Sequence, residues 1–110
     1  AIIAFDETHK DLVTTTEFET GVKEASVPAP LNISTNVTAP VLVILGQQDT
    51  FFCSAAVDCS NADQVAAHAA PYFPRAASLT AITVPNTGHD LALHPTAPQS
   101  FASINEWLNQ

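Results

Sequence analysis

Basic side chains are scarce in this 110-residue sequence: Lys10, Lys23 and Arg75 stand against 11 acidic residues, a formal net charge of −8. Such a surface repels phosphate backbones, which excludes nucleic acid as a natural partner. Long apolar runs are missing too. The longest, Ala39 to Leu45, contains Pro40 and stops at Gly46, far short of the roughly 20 residues a membrane-spanning helix needs. The chain opens on Ala1-Ile2-Ile3-Ala4-Phe5 without the basic start of a signal peptide, and it contains no methionine at all. A processed or excised polypeptide is the expectation from these two absences. Charged residues make up 13% and hydrophobic ones 46%, so burial of apolar surface must drive folding and a disordered, highly charged chain is ruled out.

Cysteine is limited to Cys53 and Cys59, six positions apart. They can close a short disulfide loop, stabilising by roughly 2–3 kcal/mol on chain-entropy grounds, or remain two free thiols; oxidation suits a secreted protein. No second Cys/His pair lies at ligand spacing, so the cysteines do not read as a metal site. Two glycosylation sequons, Asn32-Ile33-Ser34 and Asn36-Val37-Thr38, lie together in one Pro/Thr/Ser-rich stretch and point the same way, to an extracellular protein glycosylated at Asn32 and Asn36.

Hydrophobic patterning predicts a helix over residues 6–22, with Asp6 as N-cap, an apolar face of Leu12, Val13, Phe18 and Val22, and Gly21 near its end. The run Thr14-Thr15-Thr16 weakens it. Ser26 to Thr38, with Pro28 and Pro30, reads as an exposed connection. Val41-Leu42-Val43-Ile44-Leu45, framed by Pro40 and Gly46, reads as a strand buried on both faces of a parallel sheet. A helix follows over 62–70, capped by Ser60 or Asn61 and ended by Pro71. A second strand spans 79–84 and closes on Pro85-Asn86-Thr87-Gly88. The last helix, about 97–108 with Pro98 in its first turn, presents Phe101, Ile104, Trp107 and Leu108 on one face. The order is helix–strand–helix–strand–helix, an α/β arrangement whose crossover implies parallel neighbours. Two strands alone leave apolar faces and edges open, so the sheet reads as part of a larger one.

In open parallel sheets, catalytic groups gather beyond the carboxyl ends of the strands. Asp49 follows the first strand in Gly46-Gln47-Gln48-Asp49, and His89 follows the second in Asn86-Thr87-Gly88-His89-Asp90. Parallel pairing brings both to one edge, where a carboxylate fixes the imidazole tautomer and stabilises the imidazolium formed on proton uptake. Asp90 is a weaker partner, since adjacent side chains diverge. His94 reads as a structural or rim residue, His68 as a surface residue, and His9 has no evident partner. Phe51 and Phe52 either line a pocket beside the acid or pack under its loop. Ser54, Ser60, Ser78, Ser100 and Ser103 do not sit on a strand-to-helix elbow, and Cys53 reads as structural.

These two stretches resemble the α/β-hydrolase family, in which the triad order is nucleophile, acid, histidine. Val41 to Asp49 is similar to the family's seventh strand with its acid turn. Leu79 to Val84 with Asn86-Thr87-Gly88-His89-Asp90-Leu91 is similar to the eighth strand with its histidine loop. The helix ending Ile104-Asn105-Glu106-Trp107-Leu108 is similar to the family's final helix. The resemblance implies that 39–110 is the C-terminal βαβα portion of a mostly parallel hydrolase sheet, and that 1–38 is the tail of a lid or helix with an exposed connection. It implies Asp49 and His89 as catalytic, Phe51, Phe52 and Leu91 as substrate-pocket residues, and no metal or organic cofactor. The departure is the nucleophile. Gly21, Gly46 and Gly88 are the only glycines, so there is no Gly-x-Ser-x-Gly elbow and no Gly-rich oxyanion segment. The expectation is a piece of a secreted serine-type hydrolase acting on an ester or thioester, completed by the N-terminal part of the same precursor as a second chain. An epoxide hydrolase or dehalogenase with a carboxylate nucleophile is not separable from it. The alternative class is a non-catalytic relative that binds a ligand or partner on the same fold.

Overall fold

The computed structural model describes residues 7, 8 and 14–110. Helix α1 spans Thr15–Ala25. Thr14 caps it: its Oγ1 accepts from the Glu17 amide at 3.2 Å, and the Glu17 carboxylate accepts from the Thr14 amide at 3.0 Å, a reciprocal capping box. The threonine run therefore supplies a helix start, where the sequence suggested only weakness. Gly21 does not end the helix, which continues to Ala25. The expected cap Asp6 and the face residues Leu12 and Val13 lie outside the described residues, as does His9. Every residue of α1 is exposed, Phe18 and Val22 included.

The connection that follows holds two 3-10 turns, Ala29–Leu31 and Ile33–Asn36. Ser34 ties it down by donating to the Tyr72 carbonyl at 2.8 Å. Asn32 is half-buried and its side chain accepts from the Ser34 amide at 3.0 Å, whereas Asn36 is exposed.

Strand β1 (Val41–Gly46) and strand β2 (Leu79–Val84) form a two-stranded parallel sheet in the register Val41↔Leu79 through Gly46↔Val84. Helix α2 (Ala62–Ala69) lies between them in sequence. Asn61 is its cap, accepting from the Asp63 and Gln64 amides at 3.0 and 3.2 Å. Pro71 ends the α-helix, and the chain tightens into a 3-10 turn at Ala70–Tyr72. Val57, Cys59 and Val65 are buried together, with Val43, Leu45, Cys53 and Ala81 packed against them. Cys53 and Cys59 are joined by a disulfide, so the free-thiol alternative falls. The strands are only half-buried along Val41–Leu45 and Leu79–Thr83, short of the burial expected on both faces. Each strand of a two-stranded sheet keeps one open edge, which accounts for the difference.

Helix α3 spans Ala97–Leu108, with Pro98 in its first turn. Its inward face differs from the expected one. Ser100 is buried and Ser103, Ile104 and Trp107 are half-buried, while Phe101 and Leu108 are exposed. The positions 100, 103, 104 and 107 follow helical spacing, but two are serines, so hydrophobicity found Ile104 and Trp107 and gave Phe101 and Leu108 in place of the serines. No helix among the described residues is long and apolar enough to cross a membrane.

Candidate active site

The register aligns the carboxyl ends of β1 and β2, Gly46 opposite Val84, so the loops that follow leave the sheet side by side. Ladder bonding continues past the strands: the Gln47 amide donates to the Val84 carbonyl at 2.9 Å, and the Gln48 amide to the Thr87 carbonyl at 2.8 Å. This close approach demands glycine at 46. A Cβ built there would lie 2.2 Å from the Thr87 carbonyl oxygen and 2.3 Å from that of Gly88. On the other loop, Asn86 takes a positive φ of 55°, a conformation asparagine tolerates better than most residues, and so turns the chain directly after Pro85.

The loops deliver Asp49 and His89 into contact. Asp49 is 2% exposed. One of its carboxylate oxygens, Oδ1, accepts from the Phe51 amide at 2.7 Å and the Phe52 amide at 3.1 Å. The other, Oδ2, lies 3.0 Å from Nδ1 of His89. With both oxygens bonded, the carboxylate is held against rotation, and it can serve only the Nδ1 side of the ring. The His89 side chain is 48% exposed, so Nε2 is the nitrogen left for chemistry. Asp90 is exposed and stands at the head of a 3-10 turn, Leu91–Leu93, leaving Asp49 as the partner of His89.

Burial acts to raise the Asp49 carboxyl, but the His89 hydrogen bond, the Phe52 and Phe51 amides and the attraction of the His89 ring together hold it below the usual carboxylate range. The folded pKa is thus below the unfolded Asp value of about 4. The stability this provides is complete above the unfolded value and is lost as the pH falls through the folded one. Glu17 and Asp58 shift in the same direction through hydrogen bonds to Thr14 and Ser60, and both are fully exposed. Denaturant unfolding between pH 6 and pH 2 is expected to show the wild type losing stability in acid more steeply than Asp49→Asn. Parallel curves would mean that Asp49 carries none of the acid sensitivity.

Aromatic rings surround the histidine. Phe51 and Phe52 lie with ring centroids 4.6 and 5.3 Å from that of His89, and both are largely exposed, at 79% and 59%. Both rings stand at the surface beside the histidine. Leu91 is half-buried at the start of the 3-10 turn that follows. The disulfide anchors the far side of the acid loop, where Ser54 and Val57 exchange two backbone hydrogen bonds of 3.1 Å. A groove of about 650 Å³ runs along β1 beneath α2, lined by Leu42, Ile44, Val65, Tyr72 and Phe73, and it touches the pair only through Phe52.

Several residues that shape the site were missed in the sequence. Thr87 is fully buried, donating to the Pro85 carbonyl at 2.9 Å and sharing a 2.6 Å contact with Thr96 Oγ1. His94, read as a structural or rim residue, accepts from the Gly88 amide. Glycine immediately before the histidine and at the end of the first strand was the available signal. The Ser54 hydroxyl accepts from the Ala56 amide, the Ser60 hydroxyl donates to the Asp58 carboxylate and the Ser100 hydroxyl to the Thr96 carbonyl. Among the described residues no cluster of three His, Cys, Asp or Glu side chains suits a metal ion. Comparison with protein-family models, with curated proteins and with solved structures finds no match.

Proposed function

We propose that this chain supplies the acid and the base of a serine-type hydrolase of the α/β-hydrolase kind, cleaving an ester or thioester in an extracellular setting. The single observation that carries the reading is the 3.0 Å contact between Asp49 Oδ2 and His89 Nδ1, formed across loops that follow two adjacent parallel strands. An Asp carboxylate on Nδ1 keeps the proton there and leaves Nε2 basic. Nε2 takes the proton of an attacking hydroxyl, the imidazolium so formed is stabilised by Asp49, and the proton passes to the departing alkoxide or thiolate. Water then releases the acyl group by the same route in reverse. Phe51 and Phe52 form an apolar rim against which the acyl or alcohol part of the substrate packs, with Leu91 beside it. The nucleophile and the oxyanion donors lie outside these 110 residues, in the part of the fold that covers the open edge of β1. The disulfide fits an oxidising compartment, and Asn32 and Asn36 are the candidate glycan acceptors.

A fluorophosphonate probe applied to the parent protein tests this. The expected result is a labelled serine outside these 110 residues. Labelling of Ser54 or any other serine of this chain overturns the reading. So does a parent protein with no reactive serine, whether it hydrolyses through a carboxylate or only binds a ligand.

A further inference from the structure

Resting on that reading, we propose that His94 is a positioning residue, a neutral imidazole that accepts from the Gly88 amide and thereby fixes the loop presenting His89. The Gly88 amide donates to His94 Nε2 at 3.1 Å. An imidazole whose Nε2 accepts must carry its single proton on Nδ1. The ring occupies the side of Gly88 where a side chain would stand, since a Cβ built there would lie 3.0 Å from Nε2 and 3.3 Å from Cε1. His94 is itself held, because its carbonyl accepts from the Ala97 amide at 2.9 Å at the start of α3. Two residues away, the 2.6 Å contact between Thr87 and Thr96 ties the same two segments a second time. Residues 87 and 88 are therefore pinned from the segment leading into α3 on one side and, through the Gln48 amide on the Thr87 carbonyl, from the acid loop on the other. His89 is the next residue along. A half-exposed catalytic ring cannot be fixed by burial, so its placement depends on the backbone behind it, and His94 closes that backbone.

The role separates from mere packing by chemistry. Leucine fills similar volume without an acceptor, whereas glutamine extends about as far as Nε2 and offers a carbonyl oxygen. In the assembled hydrolase, His94→Leu is expected to lower kcat by about 10- to 100-fold with KM changed less than about threefold, the scale of a misplacement near 1 Å. His94→Gln is expected to restore kcat to within about threefold of wild type. In this chain, nitrogen chemical shifts are expected to show His94 protonated on Nδ1 at neutral pH. The Gly88 amide should exchange slowly in the wild type and in His94→Gln, and much faster in His94→Leu. A wild-type His94 carrying its proton on Nε2 overturns the proposal even if His94→Leu fails to fold. So does a glutamine variant as impaired as the leucine one, or a leucine variant with wild-type kcat. The tautomer and the amide exchange do not depend on the hydrolase reading. Normal values there, together with an active His89→Ala enzyme, would sink the function and leave the positioning contact standing.

Discussion

On the proposed hydrolase role, replacing His89 with alanine in the parent protein is expected to lower kcat for ester hydrolysis by at least about 10⁴-fold, with little change in KM, because a relay base acts in the transition state and not in ground-state binding. Asp49→Asn should cost about as much, and the hydrogen-bond geometry says why. The Phe51 and Phe52 amides both donate to Oδ1, so they will keep the asparagine carbonyl on their side. That turns the side-chain NH2 toward His89, where the carboxylate oxygen now lies 3.0 Å from Nδ1. A donor facing Nδ1 selects the tautomer with its proton on Nε2, and the base is lost although the shape is kept. The double variant should be scarcely slower than either single one, since the two residues act as a unit. Steady-state kinetics on a chromogenic ester would check all three proteins. Activity within tenfold of wild type in either single variant would remove Asp49 and His89 from the catalytic role.

The two strands and the meeting of Asp49 with His89 were legible in the sequence for a physical reason. A β-branched run held between proline and glycine has few alternatives to a short strand, and parallel pairing of two such strands decides which loops share an edge. The hand-over from strand to loop was not legible. Ser100 faces inward because α3 begins at Ala97, after the N-cap Thr96, and the helical period places it there, and its small polar side chain gave hydropathy nothing to detect. Gly21 looked like a helix end, yet nothing lies within 4 Å of its missing Cβ. Its cost of about 1 kcal/mol in a helix interior is of the order a capping box returns. His94 read as a structural or rim residue, but what it holds could not be named, because its partner is a backbone amide six residues away and backbone amides leave no mark in a sequence.

The same limit applies to Gly46, whose substitution carries the largest expected effect on stability. As a residue at the end of a strand it reads as punctuation, and its φ is not positive, so conformational freedom does not require glycine there. The requirement is space. A methyl group at 46 would meet the Thr87 carbonyl oxygen at 2.2 Å, the Thr87 carbonyl carbon at 2.6 Å and the Gly88 carbonyl oxygen at 2.3 Å, and all three are backbone atoms that cannot swing aside. Thr87 is buried and bonded on both sides, so the histidine loop cannot retreat without breaking the Gln48 amide bond, the Thr96 contact or both. Overpacking a tight site typically costs 1–3 kcal/mol, and a clash against fixed backbone belongs at or above the upper end. Gly46→Ala is therefore expected to destabilise by about 3 kcal/mol or more, lowering Tm by roughly 12 °C or more for a chain of this size. Because the clash lies between the two loops that carry Asp49 and His89, any variant protein that still folds should have lost their hydrogen bond as well. Gly21→Ala is the control: its site is open helix, and the same substitution should leave Tm unchanged or slightly raised. Thermal unfolding of the two variants side by side decides the matter. A Gly46→Ala protein as stable as the control would mean that the acid and histidine loops are not packed backbone against backbone, and the geometry that brings Asp49 to His89 would lose its support.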